Sequence, residues 1–357
     1  MPDPTASGSL LATEQRSTDL ELAIAADPAA YRVLTGDRPT GPLHIGHYFG
    51  TLENRVRLQD AGVDLLVLIA DYQVMTDRTM PAGLAGNVIG QVADYLAAGI
   101  DPGRATIFAH SQVAALNQLL VPFLSLVSVA ELTRNPTVKD EMAAAGSGVI
   151  TALMFSYPVH QAADILFCHA NVVPVGKDQL PHLELTRSIA RRFNERYSPG
   201  RPYFPEPQAL LSAAPLLLGL DGRKMSKSLG NTVPIRATAD ETAALIARAR
   251  TDSERVITYE PQRRPEVSNL LLIAALCRDV TPQDLAGEIG AGGSAALKAT
   301  VTDAINERFE PIRSRRQQLA GDLGYLRAVL ADGCDRASMI AAGAMSSVRE
   351  LMHTFYY

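Results

Sequence analysis

Apolar and polar positions change their spacing in blocks along this chain. "YRVLTG" (Tyr31–Gly36) is a short apolar run, and "DLLVLIADYQVMT" (Asp64–Thr76) is longer and nearly unbroken. "ATIFAH" (Ala105–His110) and "NVVPVG" (Asn171–Gly176) repeat the pattern. Apolar residues at consecutive positions suit strands covered on both faces, as in a parallel sheet. Between these runs the period lengthens to that of a helix. "LHIGHYFGTLENRVRLQDAG" ends at Gly62, "AGLAGNVIGQVADYLAAGI" follows, and "DQLPHLELTRSIARRFNERY" is strongly amphipathic. Strand and helix alternating through short connections predict an α/β fold with an open, doubly wound parallel sheet and right-handed crossovers.

From Leu116 to about Ala163 the spacing is helical, interrupted by a Gly/Ala-rich stretch around Gly146–Gly148. This reads as a helical insertion, about 116–163, between two halves of the sheet. A Pro-rich loop, "SPGRPYFPEPQ", precedes "LDGRKMSKSLGN". Beyond Pro234 the strand signals stop, and "ADETAALIARART", "VSNLLLIAALC" and "TPQDLAGEI" are helical in period. The expected organisation is a tail at 1–30, poorly ordered because it is acidic and rich in Ser, Thr and Ala. A Rossmann-type catalytic unit at 31–235 and an all-helical unit at 236–357 follow.

Composition narrows the class. The chain has 357 residues, 47% hydrophobic and 20% charged, with a net charge of -5, which argues against indiscriminate nucleic-acid binding through a basic surface. The helical unit carries 15 Lys/Arg against 16 Asp/Glu. Within it, Arg313, Arg315 and Arg316 lie close together and read either as a solvated helix face or as a phosphate contact. Cys168, Cys277 and Cys334 form no CxxC pair and suit small buried residues in a reduced cytoplasm. The apolar stretches are too short or too broken by charge for a membrane helix, so a cytoplasmic location is expected.

The candidate chemistry sits in "TGDRPTGPLHIGHYFG" (Thr35–Gly50). This loop follows a strand and opens a helix, where free backbone N–H groups and the helix dipole favour phosphate. His44 and His47 are three apart and share one face. Gly46 between them keeps one side bare for a base or ribose. The GxGxxG fingerprint is missing, which argues against a nicotinamide cofactor. A second cluster, "KMSKS" (Lys224–Ser228), sets two lysines three apart in a loop flanked by Gly222 and Gly230. Together the two clusters read as a charge clamp over a polyphosphate.

"HIGH" at 44–47 and "KMSKS" at 224–228, about 180 residues apart, resemble the two signatures of the class I aminoacyl-tRNA synthetases. "YPVHQAADIL" and "VPVGKDQLPHLELTRSIARRFN" extend the resemblance to the tryptophanyl-tRNA synthetases, from about Arg32 to the C-terminus. The tyrosine-specific synthetases are the nearest alternative.

The resemblance implies activation of L-tryptophan by ATP and transfer to tRNA(Trp). His44, His47, Lys224 and Lys227 would be catalytic, and Arg38, Thr40, Gly46, His47, Asp178, Lys224, Met225, Ser226 and Lys227 would line the ATP site. Gln73, Tyr157, Gln161, Asp164, Val173, Val175 and Gln179 would form the tryptophan pocket. Asp164 would accept the indole N–H, and Tyr157 and Gln179 would hold the amino and carboxylate groups. No metal site in the protein is implied; Mg²⁺ would arrive with ATP. Lys139 of "NPTVKDEM" reads as a phosphate contact or as a surface lysine. Gln73 and Gln161 depart from the histidine and methionine common at these places. The resemblance also implies a homodimer, with Leu116–Val129 as a candidate interface, and an anticodon-binding role for 236–357. A different nucleotidyl-transferring enzyme would not need "KMSKS", and a non-catalytic relative should have lost a signature residue. The absence of tryptophan from the chain is consistent with this reading and carries little weight.

Overall fold

The computed structural model describes residues 4–76, 83–139, 151–212 and 216–356. Its centre is a five-stranded parallel sheet in the order β3-β2-β1-β4-β5. The strands are β1 (Arg32–Asp37), β2 (Asp64–Ile69), β3 (Ala105–Ala109), β4 (Val172–Val175) and β5 (Gln208–Leu211). β1 runs beside β2 with Val33 opposite Leu65, and beside β4 with Val33 opposite Val172. The chain winds outward from β1 in both directions, so the C-terminal ends of β1 and β4 form the switch-point crevice where doubly wound sheets bind ligands. β2 is shorter than the apolar run suggested: it ends at Ile69, and Tyr72–Thr76 turns into a 3₁₀ helix. β5 escaped the sequence reading. It is four residues long and flanked by prolines, which mask a strand signal.

The helices of the sheet unit are α1 (Pro4–Ala26), α2 (Ile45–His47), α3 (Glu53–Ala61), α4 (Leu84–Ala98), α5 (Ala114–Gln118), α6 (Leu120–Leu124), α7 (Val129–Arg134), α8 (Ala152–Leu166) and α9 (Leu180–Tyr197). A π-helical turn at Tyr48–Leu52 joins α2 to α3, and α3 ends on Gly62 in the left-handed conformation (φ 98°). The expected tail at 1–30 is corrected over its described part. α1 buries Leu20 and Ile24, and the Ser17 hydroxyl accepts from the Leu211 N–H, so the helix is held against β5. A short apolar stripe was enough to dock it despite its polar composition. The Gly146–Gly148 stretch lies outside the described residues.

Beyond Pro234 the described residues hold helices and no strand: α10 (Ala239–Ala247), α11 (Pro265–Arg278), α12 (Pro282–Ile289), α13 (Gly293–Ala320) and α14 (Leu323–Leu351). They do not stand apart from the sheet. One hydrophobic cluster runs from Ile24 and Val67 through Leu271 and Phe309; another, on the opposite face, joins Phe108 and Phe167 to Ala337 and Ala341. α14 lies along the edge strand β3. A Cβ built on Gly333 would come within 1.9 Å of the Ile107 carbonyl oxygen, so only glycine allows this approach. The Arg336 guanidinium donates to the Pro102 and Ala105 carbonyls, which helps cover the edge.

Candidate functional site

The loop after β1 turns through Gly41 (φ 142°) into α2, with His44 at the helix start. Two backbone hydrogen bonds fix the turn from outside: the Ile45 N–H donates to Val233 and the Ile235 N–H to Leu43. The stretch just after "KMSKS" therefore lies directly against the "HIGH" turn. The two imidazoles pack with ring centroids 3.8 Å apart. His47 Nδ1 accepts the His44 backbone N–H at 3.3 Å, which leaves the His47 proton on Nε2. Burial, the neighbouring His47 and Lys227 push His44 down to about 3. Burial pushes His47 down to about 4, against the pull of Asp37 and with help from Lys227 and Arg55. Both rings are neutral near pH 7 and offer N–H donors without a full charge.

The lysine loop closes over this turn. Lys227 Nζ donates to the Gly41 carbonyl at 3.0 Å, and a Cβ on Gly46 would stand 3.2 Å from the Met225 sulfur. Gly46 is thus bare on the side that Met225 covers. The organising residue is Asn231, which sequence reasoning missed. It is buried; its Oδ1 accepts the Ser226 N–H at 2.8 Å, and its amide donates to Asp221 at 2.7 Å and to the Lys224 carbonyl at 3.1 Å. Lys224 is exposed, and its backbone pairs with Leu218. Beneath the turn, buried Arg55 binds Asp37 at 2.5 Å and the Thr35 hydroxyl at 3.0 Å, and the Tyr95 hydroxyl donates to Asp37 at 2.8 Å. Burial opposes ionisation of Asp37, but Arg55 outweighs it and holds this carboxyl well below the usual range. Only the polarity of "DR" at 37–38 hinted at this network.

A cavity of about 360 Å³ opens between β1, β4 and α8. Every residue expected for the tryptophan pocket lines it: Gln73, Tyr157, Gln161, Asp164, Val173, Val175 and Gln179. Arg38, Asp37 and Arg55 line it too, on the side of the "HIGH" turn. α8 starts at the Thr151 cap, and the seven-residue step from Tyr157 to Asp164 brings both side chains to one face. The Tyr157 hydroxyl lies 3.0 Å from His182 Nε2, and burial pushes His182 down to about 4. Asp164 is 1% exposed. His110 Nε2 is 2.6 Å from its Oδ1, and the Gln73 amide reaches its Oδ2 at 3.4 Å. Val173 and Val175 both wall the cavity and belong to the sheet core. Asp178 is exposed and accepts from the Gln179 amide at 3.2 Å.

Several residues take places the sequence did not foresee. Lys139 is exposed, while nearby Thr137 reaches the cavity. Arg313 donates to the Ala237 carbonyl at 3.0 Å, and Arg316 pairs with buried Asp94, so neither belongs to a solvated face. Arg315 alone of the three is exposed. Within the candidate interface Leu116, Leu119 and Phe123 are core, whereas Val121 and Val129 are 73% and 71% exposed. The cysteines are free, Cys168 and Cys334 buried and Cys277 partly so. Among the described residues no helix is long and apolar enough to cross a membrane.

The model of the class I tRNA synthetases for tryptophan and tyrosine matches residues 27–310. The tryptophan–tRNA ligase of Streptococcus agalactiae is 39% identical over 337 residues, covering 91% of this chain and 98% of that protein. That of Clostridium longisporum is 37% identical over 334 residues, covering 91% and 97%. The tryptophanyl-tRNA synthetase of Campylobacter jejuni, solved with ADP and tryptophan, superposes with a TM-score of 0.78 at 30% identity over 90% of this chain and 99% of its own. With the two signature loops in contact beside a cavity that ends on a buried carboxylate, the chain belongs to the class I tRNA synthetases for tryptophan and tyrosine and, within them, to the tryptophan–tRNA ligases.

Proposed function

We propose that the 360 Å³ cavity takes L-tryptophan and that the "HIGH" turn and "KMSKS" loop take the triphosphate of ATP. The contact of Lys227 with Gly41 carries this reading, because it sets a cation over the phosphate-binding turn at one end of the cavity. The tryptophan carboxylate is ionised at neutral pH and attacks the α-phosphorus without a general base. The bond to the β-phosphate oxygen breaks, and pyrophosphate leaves with the electron pair. Catalysis is alignment plus stabilisation of the departing charge. His44 and His47 donate from neutral rings, Lys227 and, as the loop moves, Lys224 meet the β- and γ-phosphates, and Ser226 adds a hydroxyl. Arg38, Thr40, Gly46, Met225 and Asp178 complete the nucleotide side. Attack by the terminal 2′-hydroxyl of tRNA(Trp) on the activated carbonyl then releases AMP.

At the other end Asp164 accepts the indole N–H, with Gln73 and Gln161 beside it, Val173 and Val175 as walls, and Tyr157 and Gln179 on the amino-acid backbone. Mg²⁺ has no carboxylate cage here. Asp37 is committed to Arg55, and the cluster His110, His160 and Asp164 is buried and imidazole-rich, the wrong donor set for a hard cation. The ion would ride on the triphosphate. Residues 236–357 would read the anticodon end of the tRNA, and exposed Val121, Leu124 and Val129 would seal a homodimer.

Tryptophan-dependent exchange of pyrophosphate into ATP tests the reading. Exchange is expected with tryptophan, and Lys227→Ala should lower it about 10²–10³-fold, as for other lost transition-state donors. Exchange supported by tyrosine alone would overturn the substrate assignment.

A further inference from the structure

Resting on the assignment of Asp164 as the indole acceptor, we propose that His110 is the specificity-determining positioning residue of the pocket, fixing the Asp164 carboxylate so that one oxygen faces the amino-acid ring. His110 directly follows β3, opens a 3₁₀ turn and is fully buried. Its Nε2 lies 2.6 Å from Asp164 Oδ1. A carboxylate that accepts the indole N–H accepts here as well, and on that assignment the bond runs from the His110 Nε2–H to Asp164. Oδ1 is thereby occupied.

Oδ2 has a weaker partner, the Gln73 amide at 3.4 Å, at the outer limit of a hydrogen bond. It is the oxygen a ligand N–H can claim, with Gln73 giving way. The two oxygens of one carboxylate are therefore inequivalent, one locked and one exchangeable.

The lock is itself held. The Asn117 amide donates to the His110 carbonyl at 2.8 Å and to the Val113 carbonyl at 2.9 Å, and Asn117 Oδ1 lies 2.7 Å from His160 Nε2. His160 packs on the His110 ring with centroids 4.7 Å apart, and Tyr72 stacks on it at 6.4 Å. His110 Nδ1 has no hydrogen-bond partner among the described residues. Among the described residues the ring's only side-chain hydrogen bond is thus the one to Asp164, which is what a residue devoted to orienting that carboxylate requires. The direct His110–Asp164 contact also uses the atoms that an ion in the cluster with His160 would need.

The test separates orientation of the acceptor from general damage. Tryptophan is compared with its sulfur isostere, 3-benzothienylalanine, which has nearly the same shape and no ring N–H, in the pyrophosphate exchange of the full-length protein. His110→Leu fills the space without a donor, His110→Asn falls short of the carboxylate, and His110→Gln restores an N–H. With the carboxylate free to turn, KM for tryptophan should rise on the order of ten- to a hundred-fold in the Leu and Asn variants, the range for a lost bond to a charged group. KM for the isostere should move less than about threefold, and His110→Gln should recover most of the preference. If His110→Leu does not fold, His110→Asn carries the comparison. An equal loss for both substrates, or no change in their ratio, overturns the proposal. Asp164→Ala separates the two levels. If it removes the preference for tryptophan while the His110 variants keep it, the positioning role fails and the acceptor stands. If Asp164→Ala also leaves the preference unchanged, the acceptor assignment itself fails.

Discussion

Replacing Asn231 should disable the lysine loop without touching either signature. The side chain is 4% exposed and makes three hydrogen bonds, accepting from Ser226 N–H and donating to Asp221 and to the Lys224 carbonyl. Each is worth about 1 kcal/mol net, so Asn231→Ala removes up to about 3 kcal/mol, less what water restores at this partly open edge. That energy holds Lys227 over Gly41. A loss of about 3 kcal/mol lowers the fraction of closed loop by up to about a hundredfold, if closed and open forms are about equally populated in the wild type. The expected result is a fall of about 10- to 100-fold in kcat/KM for pyrophosphate exchange, with KM for tryptophan changed far less. Asn231→Asp sharpens the test. It keeps the acceptor for Ser226 but sets a carboxylate against Asp221, whose carboxyl the Asn231 amide, with Arg223, now holds down at about 2. Asn231→Asp should therefore be no better than Asn231→Ala, although it is nearly isosteric. Wild-type exchange in both variants, with unchanged hydrogen exchange across 224–231, would refute the assigned role of the staple.

Other perturbations follow from the same geometry. Gly333→Ala drives a methyl to 1.9 Å from the Ile107 carbonyl, so α14 must lift from β3, and denaturant melts should show a loss of about 1–3 kcal/mol. Arg55→Met leaves the Asp37 carboxylate buried and unpaired, with an expected cost of about 3–5 kcal/mol by the same measurement. His44 at about 3, with His47 and His182 at about 4, all lie below the ordinary 6.5. The unfolded chain therefore binds more protons below that pH. Stability is fully present above about 6.5 and falls as pH drops through 4 toward 3, and urea midpoints across this window should trace it, less steeply in a His44→Gln variant.

The end of the candidate site proposed for phosphate was legible as a contact of two motifs because its residues are contiguous: four positions make the "HIGH" turn and five make the lysine loop. The cavity proposed for the amino acid was legible in part. Tyr157, Gln161 and Asp164 share a helix, and their spacing alone puts them on one face. What holds these residues was not legible. Asp37 meets Arg55 across 18 positions, His110 meets Asp164 across 54, and Arg316 meets Asp94 across 222. No local period encodes such pairs; they follow from the strand order. The same limit explains α1 and β5, which belong to the fold because each covers the other. The basic cluster at 313–316 misled for a related reason, since a helix that looks solvated in sequence was given an acidic partner by the fold.

Asp94 shows how closely the helical unit is tied to the chemistry. Its Oδ2 accepts the backbone N–H of Leu43, the residue before His44, and its Oδ1 takes the Arg316 guanidinium from α13. The same helix sets Phe309 edge-on against Tyr48, with centroids 4.9 Å apart, and pairs Arg308 with Glu53 at 2.5 Å. Burial pushes the Asp94 carboxyl up against the pull of Arg316, so the ion pair is what keeps a charge there. That charge also favours the protonated form of Lys227, which burial disfavours. A shift of α13 would thus alter two things at once, the anchorage of the histidine turn and the electrostatic support of the lysine above it. A packed helix with two such attachments cannot slide by small degrees without breaking one of them. Under the role proposed for the helical unit, a displacement imposed by bound tRNA would reach the histidine turn through Arg316 and Asp94.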